Sequence, residues 1–435
     1  MAEMGAKRKL GIGLMGLGVV GGGVAEALLK KNRMLAEEMG CQPELRKVLV
    51  RDRAKPRAVS VDPDLLTADP QQILASPEID IVIEVIGSEQ PALEYIRQSL
   101  LNGKHVVTAN KEVVAKHGAE LLKTAQEKGV SILYEASVGG GIPLLLPLHR
   151  GLLANDIATI YAIINGTTNY ILTRMSGEGM SFAVALHKAQ ELGYAEPDAA
   201  NDIEGRDAAY KLAILASVAF HTVVRPEDIY CQGISRLCEV DFRYAKELGY
   251  EIKLLAIAKQ RDGTVEARVH PVFIPRELLL AKVDGVYNAV QIEGDLVGKL
   301  IFYGRGAGAQ PTASAVISDV IETGRLIRGG ERCGTQSRPP QAMTIRPVSE
   351  LETRYYLRMN IADRPGVLAQ IAKILGDRSI SIASVIQKEA DDATQSAEIV
   401  IMTHPARERS MQQSLSDMEN LPAVREVGNL IRVEG

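Results

Sequence analysis

A cluster of acidic residues followed by one lysine is the feature of this sequence with the clearest chemical potential. The stretch GYAEPDAANDIEGRDAAYKLAILA places five carboxylates within residues 193–207, and after Lys211 the chain becomes apolar. Burying an unpaired charge is costly, so a lysine at the edge of a core helix requires a reason. Its ammonium group can hydrogen-bond a carbonyl oxygen and donate a proton as negative charge develops there.

The spacing of these residues predicts the element that carries the lysine. Asn201 or Asp202 is a candidate N-cap, and Glu204 completes a pattern similar to a capping box, so a helix is predicted over 203–221. Asp207 and Lys211 then lie one turn apart on the same face. From spacing alone, a proton donor and a surface ion pair worth about 0.3–0.5 kcal/mol are equally good interpretations.

A glycine-rich turn near the N-terminus predicts a dinucleotide site. In KLGIGLMGLGVVGGGVAEALLKKN, residues Gly16, Gly18 and Gly21 lie between a short apolar run and an amphipathic helix. Glycines there permit a tight turn, a close approach to pyrophosphate and close packing of helix on strand. The N-terminus of the helix offers free N–H groups to phosphate. The cofactor-binding residues predicted in this turn are Gly16, Leu17, Gly18, Val19, Val20 and Gly21.

Further apolar runs separated by helical segments indicate a parallel sheet covered on both faces, hence a Rossmann domain. Ligands of such sheets bind at the carboxyl ends of the strands. This rule adds Gly87, Ser88, Thr108 and Lys111, near the nicotinamide. Arg51 beside Asp52, after the second strand, favours NADP, whereas an acid there favours NAD, so both cofactors stay open.

Composition limits the class of protein. The 435 residues are 46% hydrophobic and 24% charged, with a net charge of -4, which argues against a nucleic-acid partner. The four cysteines form no C-x-x-C pair, and no apolar run reaches the ~18 residues of a membrane span. Without a recognisable signal peptide, a cytoplasmic protein with reduced thiols and no membrane partner is expected.

The length predicts several domains. Strand-like runs over 156–305 indicate a mixed sheet in an α+β domain. The Gly/Pro-rich stretch from 329 is typical of a linker, and the tail follows a ferredoxin-like βαββαβ order. The predicted fold is therefore α/β, with four parts: a Rossmann domain (1–134 plus a returning segment 304–328), a catalytic and dimerisation domain (135–303), a linker (329–350) and a regulatory domain (351–435).

Four motifs in sequence order resemble those of homoserine dehydrogenase: VVTANK, YEASVGGGIP, NGTTNYIL and the acidic segment described above. The tail resembles an ACT domain through its Asp-Arg-Pro-Gly-Val-Leu turn at 363–368, with Ser379 where many such domains carry Asn. The resemblance implies NAD(P)-dependent interconversion of L-aspartate 4-semialdehyde and L-homoserine, in threonine, methionine and isoleucine biosynthesis.

The resemblance also implies residue roles. Lys211 is the proton donor, Lys111 is a second catalytic lysine, and Glu196 binds the substrate ammonium. The other substrate-binding residues are Asp202, Asp207, Tyr194 and Thr167. A monovalent cation, commonly sodium, is expected at Glu135, Val138, Gly140 and Ile142, mostly through backbone carbonyls, because glycines let such carbonyls converge on a hard cation.

Three further expectations concern the end of the chain and the assembly. Gly306, in the returning segment, is expected near the nicotinamide. ACT domains pair edge to edge and bind small amino acids, which implies feedback control with L-threonine as effector, near Asp363 and Gly366. A homodimer or homotetramer is expected. Two alternatives stay open: another amino-aldehyde or hydroxy-acid dehydrogenase, and a non-catalytic amino-acid sensor.

Overall fold

The glycine-rich N-terminal region folds as an open parallel sheet with helices. The computed structural model describes residues 9–329, 341–391 and 395–435. The strands of this region are β1 (Lys9–Met15), β2 (Gln42–Leu49), β3 (Leu66–Thr67), β4 (Ile81–Glu84), β5 (His105–Thr108) and β6 (Ile132–Leu133). Their order β3-β2-β1-β4-β5-β6, with parallel neighbours, is that of a Rossmann sheet and confirms the predicted class.

The helices between these strands are α1 (Val19–Lys30), α2 (Asn32–Met39), α3 (Gln71–Leu74), α4 (Ala92–Leu101) and α5 (Lys111–Lys128). Strands β1 and β4 are almost entirely buried, as expected for strands covered on both faces. Strand β2 ends at Leu49, so Arg51 and Asp52 lie in the loop beyond it.

The middle of the chain contains a 3₁₀ turn (Glu135–Ser137) and a π-helical turn (Pro147–Gly151). Its helices are α6 (Gly166–Glu178), α7 (Phe182–Glu191), α8 (Ala200–Ile203), α9 (Arg206–Ala219), α10 (Glu239–Glu247) and α11 (Ala309–Gly329). Its strands are β7 (Ile157–Ile163), β8 (Tyr230–Cys231), β9 (Tyr250–Arg261), β10 (Thr264–Pro275), β11 (Tyr287–Gly294) and β12 (Gly298–Arg305). The predicted RDG hairpin is confirmed: β9 and β10 pair antiparallel around Asp262 and Gly263, which both have positive φ.

The predicted helix over 203–221 is wrong at its start. Ala199, not Asn201 or Asp202, caps the short helix α8, and α9 begins only at Arg206. Gly205 separates them with φ +81°, a left-handed conformation that glycine adopts without strain. Asp202 lies within α8, and its carboxylate accepts a hydrogen bond from Asn165.

The C-terminal region has the predicted βαββαβ order, with two additional short strands, Thr344–Ile345 and Ala406–Arg407. Its elements are β13 (Thr344–Ile345), β14 (Glu352–Ala362), α12 (Val367–Asp377), β15 (Ile382–Asp391), β16 (Ser396–Thr403), β17 (Ala406–Arg407), α13 (Glu408–Glu419) and β18 (Val424–Val433). The strands β18-β14-β16-β15 form an antiparallel sheet. Strand β18 also pairs in parallel with β10, where Val272 lies opposite Arg432, so this region shares a sheet with β9 and β10.

The chain divides into two compact units. The first comprises 1–159, 210–228 and 290–342, and the second comprises 160–209, 229–289 and 343–435. Within the first unit, α11 packs on α1, where a side chain at Gly23 would come 2.8 Å from the Ala309 carbonyl oxygen. The returning segment therefore shares a core with the Rossmann sheet. The predicted domain boundaries stay a prediction, and most of the predicted linker lies outside the described residues.

Two properties concern the described ranges as a whole. Within 9–329, 341–391 and 395–435, no helix combines the length and apolar character needed to cross a membrane. Cys41, Cys231 and Cys238 are free thiols, whereas Cys333 lies outside the described residues.

Candidate functional site

The turn between β1 and α1 is built for close approach of a ligand to the backbone. Gly16 has φ +103°, and a side chain at Gly21 would lie 2.1 Å from the Gly16 carbonyl oxygen. Gly18 is the N-cap of α1 and has no heavy atom within 4 Å of its would-be side chain. Gly16 thus provides the turn, Gly21 the close packing and Gly18 the open approach, as a pyrophosphate site requires. Leu17 and Val20 are partly exposed here, and Val19 is exposed.

The charged residues of the loop after β2 differ in their contacts. Arg57 donates hydrogen bonds to the carbonyl oxygens of Asp52 and Lys55, and Asp52 Oδ1 accepts from Ala54 N at 2.8 Å. Arg57 and the Asp52 carboxylate therefore shape the loop. Arg51 is exposed at the strand end, where a 2′-phosphate could be met.

A buried polar network joins the carboxyl ends of β4 and β5. Thr108 Oγ1 donates to Glu84 Oε2 at 2.6 Å, and Asn110 Nδ2 donates to the Ser88 carbonyl oxygen at 2.8 Å. Asn110 also caps α5, whose first residue is the partly exposed Lys111. Thr108 is fully buried, and its side chain joins this edge of the sheet to Glu84.

Sequence reasoning missed Glu84, whose only signal was one acid inside the apolar run IVIEV. Its side chain is fully buried, and burial raises its pKa, while hydrogen bonds from Thr108 and the Ile86 N–H oppose the rise. Gly87, in the loop that follows β4, has φ +93° and open space around its Cα. The predicted cofactor edge therefore has a buried hydrogen-bonded network at Glu84 and open space at Gly87.

In the second unit, Asn165 links the predicted substrate carboxylates. Its Nδ2 donates to Asp202 Oδ1 at 2.7 Å and to Asp207 Oδ2 at 2.8 Å. Its Oδ1 accepts from Thr168 N at 2.8 Å, which caps α6. Asp207 is buried and Asp202 is partly exposed. One amide therefore fixes two acids from different helices, and sequence reasoning missed it although it begins the NGTTNYIL motif.

The other predicted substrate residues lie in segments that are linked by hydrogen bonds to backbone carbonyl oxygens. Thr167 Oγ1 donates to the Tyr194 carbonyl oxygen at 2.7 Å, which ties the start of α6 to the acidic loop. Gln190 Nε2 donates to the Glu196 carbonyl oxygen at 3.3 Å, so that loop is held by its backbone. The Glu196 side chain is exposed, and Tyr194 is 45% exposed.

Lys211 belongs to the first unit and follows Asp207 by one turn on α9. Its side chain is partly buried, and the next residues, from Leu212 to Ala216, are all buried. The expected location at the edge of an apolar helix is confirmed. A partly buried ammonium keeps access to a reactant while losing much of its water, which strengthens its pull on a carbonyl oxygen.

The predicted cation loop has a mixed fit. The Glu135 carboxylate accepts hydrogen bonds from the N–H groups of Leu144, Leu145 and Leu146, at 2.5–2.9 Å. That carboxylate is thus occupied in holding the chain, although burial raises its pKa. Gly139 and Gly140 have φ +72° and +57°, left-handed conformations that glycine adopts without strain. A cation here would be bound by main-chain oxygens of Glu135, Val138, Gly140 and Ile142.

This loop touches the segment that contains Gly306. A side chain at Gly140 would lie 2.4 Å from the Gly306 carbonyl oxygen, and Gly141 N donates to the Arg305 carbonyl oxygen at 3.2 Å. Within the described ranges, no group of three or more His, Cys, Asp or Glu side chains could hold a metal. The cation site expected in this loop stays a prediction.

The predicted effector residues lie at the start of α12. Gly366 is its N-cap, with φ +89° and open space around it, and Asp363 is exposed. Ser379 has φ +59°, a left-handed conformation that Asn tolerates better than Ser. Position 379 carries Ser instead of the expected Asn, but its backbone conformation is one that Asn favours.

Comparisons with known proteins agree along the whole chain. Three family models match: homoserine dehydrogenase over residues 143–321, the homoserine dehydrogenase NAD binding domain over 16–135, and the ACT domain over 355–423. A homoserine dehydrogenase from Neisseria gonorrhoeae is 41% identical over 433 residues, covering 98% of this chain and 99% of the relative.

Solved structures give the same result. A homoserine dehydrogenase from Thiobacillus denitrificans is 43% identical, with a TM-score of 0.93 and 98% coverage of both chains. A hyperthermophilic archaeal homoserine dehydrogenase in complex with NADPH is 28% identical, with a TM-score of 0.62, covering 72% of this chain and 97% of that one. Because these matches cover the dinucleotide turn, the acidic segment and the tail, this chain belongs to the homoserine dehydrogenase family of NAD(P)-dependent oxidoreductases.

Proposed function

We propose that Lys211 is the proton donor when this enzyme reduces L-aspartate 4-semialdehyde to L-homoserine, and the proton acceptor in reverse. The observation that carries the proposal is the arrangement around it. Lys211 follows Asp207 on one helix, and Asn165 binds the carboxylates of both Asp207 and Asp202. A cation and a set of fixed acids are what a zwitterionic amino aldehyde requires.

Each residue has one task in this scheme. The exposed Glu196 and the partly exposed Asp202 attract the substrate ammonium, while buried Asp207 supports them through Asn165. The Lys211 Nζ donates a hydrogen bond to the aldehyde oxygen and transfers its proton as that oxygen becomes an alkoxide. The nicotinamide, when bound, supplies the hydride that the aldehyde carbon receives. Lys111, at the start of α5, adds a second positive charge near the reacting groups.

The cofactor is proposed to be NADP, with NAD as the weaker partner. Arg51 is exposed past β2, and the Asp52 carboxylate is occupied by Ala54 N, so the acid is less suited to bind ribose hydroxyls. Sodium is proposed in the 135–142 loop, held by backbone carbonyls. Its task there is to fix the chain next to Gly306.

Regulation by L-threonine is proposed through the ACT region, with the amino acid near Asp363 and Gly366. No side chain caps α12 at Gly366, and the N–H groups at the start of a helix can bind a carboxylate, which suits the effector's acid end. We further propose a homodimer or homotetramer acting in the cytoplasm, in the biosynthesis of threonine, methionine and isoleucine.

Lys211→Ala tests the catalytic proposal. We expect turnover of homoserine, followed at 340 nm, to fall by about 10²–10⁴-fold, the usual contribution of a general acid. NADPH affinity should stay within about twofold, because the glycine turn is untouched. Lys188→Ala is the matched control, since Lys188 is a partly exposed lysine paired with Glu178 at 3.7 Å. Unchanged turnover in Lys211→Ala would remove this lysine from the mechanism.

Threonine control is tested with a pair of glycine variants. Gly366→Ala strains a left-handed residue and should weaken the response to threonine at least about fivefold, with uninhibited turnover retained. Gly376→Ala lies in the same helix without positive φ or close neighbours and should leave the response unchanged. If threonine changes neither activity nor melting temperature of the unmodified enzyme, the effector assignment fails.

A further inference from the structure

The C-terminal region and the acidic segment lie in the same compact unit, and β10 brings them close together. Strands β8 and β18 both pair in parallel with β10, with Arg268 opposite Tyr230 and Val272 opposite Arg432. Strand β9 occupies the other edge of β10 along its whole length, so β8 and β18 lie on one edge. A side chain from the C-terminal region can therefore contact the segment that begins with β8.

Arg432 makes this contact with its guanidinium group, which is almost completely buried. Its Nε and Nη2 donate to the two carboxylate oxygens of Glu408, at 2.8 and 2.5 Å. Its Nη1 donates to Gln232 Oε1 at 2.9 Å, and its Cζ lies 4.9 Å from the centre of the Tyr230 ring. Tyr230 Oη also donates to Gln232 Oε1, at 3.2 Å. Because a guanidinium bound to both carboxylate oxygens has a fixed orientation, it holds the Gln232 side chain in place.

Gln232 is followed directly by residues that pack on the end of α8. Ile234 N donates to the Ile203 carbonyl oxygen at 2.9 Å. A side chain at Gly233 would lie 2.5 Å from the same oxygen, so the two backbones are in direct contact. Ile203 is the last residue of α8 and follows Asp202, one of the candidate substrate acids. The segment that Arg432 holds therefore supports the residue next to that acid.

We propose that Arg432 is a positioning residue for the substrate: through Gln232 it holds the end of α8, and with it the Asp202 carboxylate, where the substrate ammonium binds. The inference rests on the role proposed above for Asp202. It gives the C-terminal region an effect on the affinity for homoserine without any contact with the reacting atoms. Residues that act on a site through packed neighbours change binding there by about twofold to thirtyfold.

Two variants of Gln232 test the contact. Gln232→Leu removes the oxygen that accepts from Arg432, whereas Gln232→Glu keeps an acceptor at the same position. Gln232 is partly exposed, so both variants should fold, which melting temperatures verify. We expect KM for homoserine to rise at least about threefold in Gln232→Leu and to stay within about twofold in Gln232→Glu. In both, kcat and KM for the nucleotide should stay within about twofold, because Lys211 and the glycine turn are unchanged. Equal KM for homoserine in the two variants overturns the proposal.

Lys388→Gln is the matched control in the same region. Lys388 is an exposed residue of β15 that pairs with Glu247 at the end of α10, so its loss breaks a contact of the C-terminal region that does not include the residues packed on α8. We expect KM for homoserine to be unchanged in this variant. A rise as large as in Gln232→Leu would indicate general loosening of the C-terminal region and would overturn the positioning role of Arg432.

Asp202→Asn separates this proposal from the function on which it rests. If KM for homoserine is unchanged in Asp202→Asn, Asp202 is not a substrate acid, and both the proposed role and the positioning of it fail. If KM rises in Asp202→Asn but not in Gln232→Leu, the substrate role of Asp202 stands and the positioning by Arg432 alone is refuted. A rise in both, with Gln232→Glu close to the unmodified enzyme, is the result that we expect.

Discussion

Asn165 gives the sharpest test of how the acids are organised, because its two ends do different work. Oδ1 caps α6 through Thr168 N, and Nδ2 binds Asp202 and Asp207. Asn165→Ala removes both functions. Asn165→Ser removes only the amide donor, since serine is itself a good N-cap. The pair of variants therefore separates helix capping from orientation of the carboxylates.

The structure sets the size of each effect. Loss of a hydrogen bond to the buried Asp207 carboxylate costs about 1.5–3 kcal/mol, and the partly exposed Asp202 can turn to water instead. Loss of the cap costs about 1 kcal/mol more. We expect Asn165→Ser to lose roughly 1.5–3 kcal/mol of unfolding free energy and Asn165→Ala about 1 kcal/mol beyond that. Urea unfolding followed by circular dichroism measures both, because the chain has no tryptophan.

Kinetics then distinguish a positioning role from a merely structural one. If the carboxylates bind the substrate ammonium, kcat/KM for homoserine should fall by about 10²-fold in both variants. KM for the nucleotide should stay within about twofold, because the glycine turn predicted to bind it is unchanged. A folded Asn165→Ser enzyme with unchanged KM for homoserine would refute the idea that this amide orients the substrate acids. Equal stability of the two variants would show that the cap contributes nothing.

Two further predictions concern buried charges elsewhere. Arg432 and Glu408 are almost completely buried and joined by two hydrogen bonds. Glu408→Gln should therefore lower the free energy of urea unfolding by about 3–5 kcal/mol, whereas the double change Arg432→Met with Glu408→Leu should recover most of that loss. Equal losses in the two variants would argue against an unpaired guanidinium as the cause. The pKa of His149 is lowered to about 4 in the folded chain against about 6.5 unfolded, so its contribution to stability is complete above about pH 6.5 and is lost as the pH falls toward 4. Between pH 6.5 and 4.5 the unmodified enzyme should therefore lose about 1–2 kcal/mol more than His149→Phe, as measured by urea unfolding at each pH, and parallel curves would contradict this.

Local patterns predicted most of the elements. The glycine turn, the parallel strands, the RDG hairpin and the βαββαβ tail were all found, because each depends on residues close together in sequence. The start of α9 was missed because Gly205, with its left-handed backbone, divides the predicted helix into α8 and α9. The spacing of polar and apolar residues did not indicate this break.

The same limit applies to the candidate site. Lys211 was predicted to be the proton donor from the resemblance, and the structure places its side chain partly buried on α9. Glu84 was missed, and nothing in the sequence indicated that the Glu135 carboxylate accepts hydrogen bonds from three backbone N–H groups. A sequence shows that a carboxylate is present, but not how many donors already satisfy it.

Burial divides the acids of this enzyme into two kinds. Glu84, Glu135 and Asp319 are buried, and burial raises the pKa of each, so they are poor counter-ions for a substrate. Their hydrogen bonds go to neighbouring backbone and hydroxyl groups instead, including Glu135 N, which donates to Asp319 at 2.8 Å. Glu196, by contrast, is exposed on a loop whose backbone is held in place. Attraction of an ammonium from water requires an accessible carboxylate, and of these four acids only Glu196 is exposed.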